Sequence, residues 1–241
     1  MPTSQIPMEG EKDAAAVPRC VGCGSPVQRL YVQYSPGNIR LMKCDKCKAV
    51  ADPYIECEFM IILIDLILHK VEAYRHLLFN MLYLDSDAYK GVLQSSVLAY
   101  IFLDAYKISF LNTATLDFNS LLSAIWCCTK ILTGALVENF LFMLFILVGL
   151  EFVLKLSYNI KRYREVMSAI IISSYLKLFL LSTMVWEFPL SVIHIVNVFV
   201  LSSNIVALRV VTQSKISWCV GICCLAHGAR ILIDHWLLEL L

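Results

Sequence analysis

Polar and apolar positions divide this chain sharply: the first fifty or so residues are polar and rich in turn formers, and from Phe59 onward long apolar runs are broken only by short charged connections. In FMIILIDLILHKVEAYRHLLFNMLYL, the polar residues Asp65, His69, Glu72, Arg75 and His76 recur at three- to four-residue intervals among Leu, Ile and Phe, which predicts a helix with a polar stripe. Its uninterrupted apolar run, residues 59–64, is far shorter than the roughly 20 residues a span requires. Residues 54–84 therefore read as an amphipathic helix lying in a membrane interface, stripe toward water. Beyond it five stretches are candidate spans: 92–111, 133–154, 166–186, 189–211 and 216–233. The apolar stretch 121–132 is placed to extend the second, and Asp104 and Lys107 weaken the first. The predicted fold class is mainly α, a polytopic helical membrane protein with about four to five spans in residues 92–241.

The polar N-terminal part carries the clearest chemistry. Cys20-x2-Cys23 and Cys44-x2-Cys47 are separated by twenty residues, enough for a hairpin that brings two thiolate pairs to one ion. VQRLYVQY and IRLMKC flank SPGN, whose Pro and Gly supply turn geometry. Residues 19–53 are read as a small four-cysteine zinc ribbon built on a β-hairpin. Cys20, Cys23, Cys44 and Cys47 are its ligands, and a shell closed by four thiolates makes the zinc structural. The competing redox-dithiol reading lacks a thioredoxin-like pattern. Residues 1–18 are polar, acidic and Pro/Ala-rich, without the features of a secretory signal, and read as a disordered tail. The remaining cysteines, Cys57, Cys127, Cys128, Cys219, Cys223 and Cys224, stand mostly in apolar surroundings and read as packing residues.

Composition agrees with the pattern. The chain of 241 residues is 59% hydrophobic and 16% charged, where soluble domains carry about 25% charge. A formal net charge of +1 gives no bulk field for nucleic acid. The ribbon's six basic residues against Asp45 are partly offset by the negative charge of a four-thiolate zinc site, so nucleic acid is not an expected partner. The connection KLSYNIKRYRE, with Lys155, Lys161, Arg162 and Arg164, is assigned to the cytosol by the positive-inside rule. With a cytosolic N-terminus an even number of crossings must precede this loop, a condition met when 92–111 counts as a span; the turn at 187–189 then lies on the far side, and Arg209 and Lys215 return to the cytosol. Ionisable residues within candidate spans, Asp104, Glu138, Lys177, His194, His227 and Arg230, are functional hypotheses by default. Lys177 is expected to pair with Glu138 on a neighbouring helix. His227 with Asp234 and His235 has acid/base chemistry but no accompanying nucleophile motif.

The cysteine pairs, followed by Asp52-Pro53-Tyr54-Ile55-Glu56, by IILID at 61–65 and by Ala73-Tyr74-Arg75-His76-Leu77-Leu78-Phe79-Asn80, resemble the Arv family. The close likeness covers residues 20–80, and a weaker one, including Asp104-Ala105-Tyr106, extends through the spans. Cys57 stands where an aromatic residue is expected. The resemblance implies a multi-pass endoplasmic reticulum membrane protein, not an enzyme, that maintains intracellular sterol distribution. It also implies linked effects on sphingolipids and on glycosylphosphatidylinositol anchor assembly.

Besides a membrane-bound acyl or glycosyl transferase using His227 or His235, two readings of the activity stay open. In one, the chain handles sterol, sphingolipid or a glycosylphosphatidylinositol precursor in a groove contacted by Asp65, Arg75, His76, Glu138 and Lys177. In the other it is a scaffold that recruits lipid-synthesis or anchor-assembly enzymes and carries no lipid.

Overall fold

The computed structural model describes residues 17–35, 37–81, 86–111, 121–154, 160–181 and 191–240. The tail before residue 17, Pro36 of the hairpin turn, residues 82–84, Lys155 of the basic connection and the turn at 187–189 lie outside the described residues.

The ribbon is a short antiparallel pair, β1 (Tyr31–Ser35) and β2 (Asn38–Leu41), registered Tyr31 to Leu41 and Gln33 to Ile39. On either side of it the chain forms one knuckle, and the two knuckles repeat each other. Cys20 N–H donates to Ser25 O and Gly24 N–H to Cys20 O; Cys44 N–H donates to Ala49 O and Lys48 N–H to Cys44 O. Gly24 (φ 75°) and Lys48 (φ 62°) hold the equivalent left-handed position, which glycine adopts freely and lysine does not.

The expected single helix over 54–84 is instead a folded-back pair. A 3-10 turn, Pro53–Glu56, leads into α1 (Phe59–Ile67); the chain reverses and returns as α2 (Val71–Arg75), which runs on into a π turn, His76–Asn80. The reversal has a specific cause. His69 adopts φ 59°, and the N–H groups of Leu68, His69 and Lys70 donate to Ile64, Leu66 and Asp65 carbonyls, a left-handed cap that ends the helix. Apolar periodicity cannot see such a cap, because the hydrophobic spacing carries straight through it. The tip packs on a later helix, α6 (Ser191–Thr212): His69 Nε2 lies 2.8 Å from Ser202 Oγ, and Tyr74 OH 2.8 Å from Ser203 Oγ. The outer face of α1 is exposed and apolar at Phe59, Met60, Ile64 and Leu68, while its Asp65 is held by Lys70 (2.8 Å) and Tyr54 OH (2.8 Å). These two partners hold the Asp65 carboxyl below its usual range, and burial pushes the Tyr54 phenol up, so it remains the donor.

The membrane domain consists of α3 (Ser86–Leu111), α4 (Leu121–Leu154), α5 (Ile160–Ser173) with a 3-10 continuation (Ser174–Leu181), α6, and α7 (Ile216–Leu240). Among the described residues three stretches are long and apolar enough to cross a membrane: Leu122–Phe152, Ser191–Thr212 and Ile216–Ile233. The protein is therefore a helical membrane protein with a small β-hairpin domain. The first of these joins 121–132 to 133–154 in one 34-residue helix, about 51 Å long at 1.5 Å per residue and so longer than the roughly 30 Å hydrocarbon core. The expected first span is helical within α3 but charged. The expected third is divided: the Ser174 hydroxyl donates to Ile170 O (2.8 Å), back-bonding that competes with the helical ladder, and the helix tightens from that point. α4 and α7 approach closely at Gly149, where a Cβ would stand 2.9 Å from Ile222.

Where α3, α4, α7 and the 3-10 segment meet, charges are buried together. Lys177 Nζ lies 2.9 Å from both Asp104 carboxylate oxygens, Arg230 Nη2 lies 2.7 Å from Asp104 Oδ1, and Glu138 Oε1 accepts from Lys107 Nζ (3.0 Å) and Arg230 Nε. Arg230 Nη1 also donates to Tyr100 OH at 3.2 Å. Lys177 thus pairs with Asp104 and not, as expected, with Glu138. The 3-10 backbone turns about 120° per residue where an α-helix turns about 100°, so over three steps from Ser174 it carries Lys177 roughly 60° further round, toward α3. His227 is held apart from this set by Asn204 (3.2 Å) and by the edge of Phe142, and His194 is exposed on α6. Cys219 and Cys223 are fully buried, as packing residues.

Truncating one member of a buried charge set leaves its partners unpaired, at a cost of about 3–5 kcal/mol. Asp104→Ala is expected to lower the thermal midpoint of the detergent-solubilised protein clearly, with Asp45→Ala on the exposed ribbon surface unchanged. Equal midpoints for the two variants would show that the charge set does not hold the helices together.

Candidate metal centre

The two knuckles face each other and bring four sulfurs into one cage. Cys20 Sγ and Cys47 Sγ are 3.7 Å apart, Cys23 Sγ and Cys44 Sγ 3.6 Å, and all four lie within 4.8 Å of one another. A tetrahedral zinc site with Zn–S of about 2.3 Å has sulfur–sulfur edges of about 3.8 Å, so the cage fits such an ion. Cys20 and Cys44 are buried, Cys23 is partly covered and Cys47 is exposed. The two partners within the first pair differ chemically. Hydrogen bonds from Ser25 bring the Cys23 thiol down to about 6, whereas burial pushes Cys20 up to about 12. Cys20, Cys23, Cys44 and Cys47 would hold the metal, Cys23 as the readily ionised thiol and Cys20 as the one that would have to give up its proton.

A ribbon of this size has little apolar interior, and the family-like block on α2 supplies what it lacks. Asp52, fully buried, is the hub. Its Oδ1 accepts from Tyr54 N–H at 3.0 Å and caps the 3-10 turn; its Oδ2 accepts from His76 Nδ1 (2.7 Å) and from Asn80 Nδ2 (2.6 Å). Asn80 in turn brackets the backbone of Arg19, accepting from its N–H at 2.8 Å and donating to its carbonyl at 2.9 Å. Arg75 Nη1 donates to the carbonyls of Val21 and Gly22, each at 2.6 Å, with its guanidinium against Gly24, where a Cβ would stand 3.5 Å from Nε. Arg19 lies over the ring of Phe79, 4.5 Å from its centroid. The knuckle that holds Cys20 and Cys23 is therefore pinned to α2, and α2 to α6 through Tyr74 and Ser203.

Of the five residues expected to contact lipid or a partner, Arg75 and His76 bond the ribbon, Asp65 bonds within the α1–α2 pair, and Glu138 and Lys177 belong to the interhelical charge set. Asp52 and Asn80, the residues at the centre of the dock, were not singled out. A buried acid just after a metal knuckle, with Asn four residues beyond His, was the available signal.

A four-cysteine cage suited to a metal and locked to a bundle of membrane helices defines a ribbon-bearing integral membrane protein. The chain belongs to the Arv1-like family, whose model matches residues 19–208. Similar proteins include Protein ARV 2 of Arabidopsis thaliana, 46% identical over 90% of this chain and 93% of the relative. Protein ARV 1 of the same plant is 44% identical over 92% and 89%. Protein ARV1 of Homo sapiens is 29% identical over 80% and 71%. No solved structure matches.

Two outcomes test this centre. Asp52→Ala is expected to retain about one metal ion per chain while detaching the ribbon, read as faster proteolysis between residues 53 and 58; a buried hydrogen-bonded carboxylate of this kind is worth about 1–3 kcal/mol. Unchanged proteolysis would remove Asp52 from the dock. In metal-free protein at pH 7.4, a thiol with a pKa of about 6 is largely ionised and one near 12 is not. Brief iodoacetamide treatment followed by mass spectrometry is therefore expected to label Cys23 well before Cys20, and the reverse order would contradict the electrostatics described.

Proposed function

We propose that this chain is a non-enzymatic mediator of sterol homeostasis, acting in intracellular sterol distribution from the endoplasmic reticulum membrane, with linked effects on sphingolipid metabolism and glycosylphosphatidylinositol anchor assembly. Structural zinc in the four-cysteine cage fixes the ribbon. The observation that carries the reading is the Asp52 dock, by which the ribbon of an Arv1-like chain is made one unit with the α1–α2 pair and the membrane helices. In this reading the ribbon sets the position of α1, whose exposed apolar face (Phe59, Met60, Ile64, Leu68) lies against acyl chains, and the space beside α2 receives lipid.

The cytosolic placement of the N-terminus draws support from charge. Ribbon residues Arg19 and Lys46 line the same cleft as Arg209, Gln213 and Ser214 at the α6–α7 turn, so the ribbon shares a side with Arg209 and Lys215, the side the positive-inside rule makes cytosolic.

The scaffold reading is favoured by one feature: the ribbon exposes Tyr34 (66%), with Met42 and Val50 also uncovered, which suits contact with a lipid-synthesis or anchor-assembly enzyme. Reconstitution separates the two. Purified protein in vesicles is expected to speed redistribution of labelled sterol, with the acceleration lost in Cys44→Ser alongside its metal. Folded, zinc-loaded protein that moves no sterol would overturn the carrier reading and leave the scaffold.

A further inference from the structure

Between the first knuckle, α2, α5 and the end of α6 lies a cleft of about 880 Å3, within the size range of small-molecule sites. Its floor is apolar: Val71, Leu78, Phe79, Ala169, Val210 and Val211. Its rim is charged and mostly of one sign. Arg19, Lys46, Arg75 and Arg209 face a single carboxylate, Glu165, and the neutral donors Gln213 and Ser214 close the side toward α7. Arg75 is committed to the Val21 and Gly22 carbonyls and Arg19 to the Phe79 ring. Lys46 and Arg209 are different: both are exposed, and the side chain of neither has a hydrogen-bond or ion-pair partner among the described residues. A loaded four-thiolate cage beside Cys23 would bring two negative charges to one wall, which still leaves the rim net positive. Arg209 stands one turn before the last residue of α6, where it also offsets the negative end of that helix.

An apolar floor beneath two unpartnered cations, at the level where membrane helices end, matches an amphiphile with an anionic head. We propose that the cleft binds the headgroup phosphate of an anionic glycerophospholipid, with Arg209 and Lys46 on the phosphate oxygens and the glycerol and first acyl carbons on Leu78, Ala169 and Val210. The shared chemistry is a phosphate group, and free phosphate is the other source of it. Only the choice of a lipid source rests on the reading of this chain as a lipid-handling protein. Such a site would hold an anionic lipid on the ribbon's side of the membrane, a role distinct from sterol distribution.

The test uses the full zinc-loaded chain in neutral detergent, titrated calorimetrically with dioctanoyl phosphatidic acid, dioctanoyl phosphatidylcholine and inorganic phosphate. Phosphatidic acid is expected to bind at least about tenfold more tightly than the other two, a difference of about 1.4 kcal/mol. Lys46→Gln with Arg209→Gln is expected to weaken phosphatidic acid binding about tenfold or more, while Arg40→Gln, on β2 and not among the cleft residues, leaves it unchanged. One zinc per chain in each variant shows that the ribbon is folded. Inorganic phosphate binding as tightly as phosphatidic acid, with the same sensitivity to the double variant, would keep the phosphate site and overturn the lipid as its source. Equal affinities for the double variant and Arg40→Gln, or no preference over phosphatidylcholine, would overturn the site. Sterol redistribution measured on the same preparations separates the two proposals. Loss of phosphatidic acid binding with sterol movement intact removes only this inference, and intact binding without sterol movement removes only the sterol reading.

Discussion

The arrangement depends on one buried carboxylate. Asp52 is fully enclosed and accepts from a backbone amide, an imidazole and a side-chain amide, so its charge is compensated by donors from two separate stretches of chain. A ribbon of two short strands has almost no apolar interior of its own, and such small units need staples from outside their core. The four-cysteine cage joins the two knuckles internally, and Asp52, with Arg75 and Asn80, ties the ribbon externally. Because Arg75, His76 and Asn80 lie together on α2 and the π turn that continues it, the orientation of the cage relative to the membrane helices follows from the orientation of that segment on α6.

The helical half uses the same principle with the polarity reversed. In the ribbon, polar contacts replace a missing apolar core. Among α3, α4 and α7, apolar packing is plentiful but unspecific, since lipid is as apolar as leucine, and the directional contacts come from buried charges and from small residues such as Gly149. Polar contacts also link the halves. Tyr74 reaches Ser203, Ser203 donates to Ser173 O, Ser173 donates to Asn204, and Asn204 meets His227 one helical turn before Arg230. Each group in this series has a partner, as buried polar groups must.

Much of this was readable from the chain. The cage was legible because ligand spacing is set by the geometry of a single ion, and the hairpin because SPGN lies between two strand-like runs. The apolar helices of the membrane domain were legible from length alone. What could not be read depended on backbone events that leave the hydrophobic pattern unaltered. The reversal at His69 needs a left-handed residue but no glycine, so a folded-back pair has the periodicity of one helix. The tightening at Ser174 rotates Lys177 away from Glu138, and with it the pairing expected from span positions. Asp104, Glu138, Lys177 and Arg230 were all recognisable as costly residues in apolar surroundings, but their partners were set by helix rotation, which composition does not encode. Asp52 and Asn80 lay in plain view inside the family-like block, with roles that only the fold supplies.

The placement of Arg230 sets an order on biosynthesis. Asp104 and Glu138 enter the membrane long before their guanidinium partner is translated, since Arg230 lies in the last helix, beyond residue 208 where the family match ends. Until α7 is inserted, Asp104 and Glu138 lack the guanidinium they share, and the cations beside them are Lys177 and Lys107. A nascent chain stalled or cut short before α7 would therefore leave two acids under-compensated among apolar helices, while its ribbon, whose contacts span about sixty residues, would already be complete. The soluble-looking end of such a fragment would carry every mark of a finished protein, and only the membrane half would reveal to cellular surveillance that the chain was unfinished.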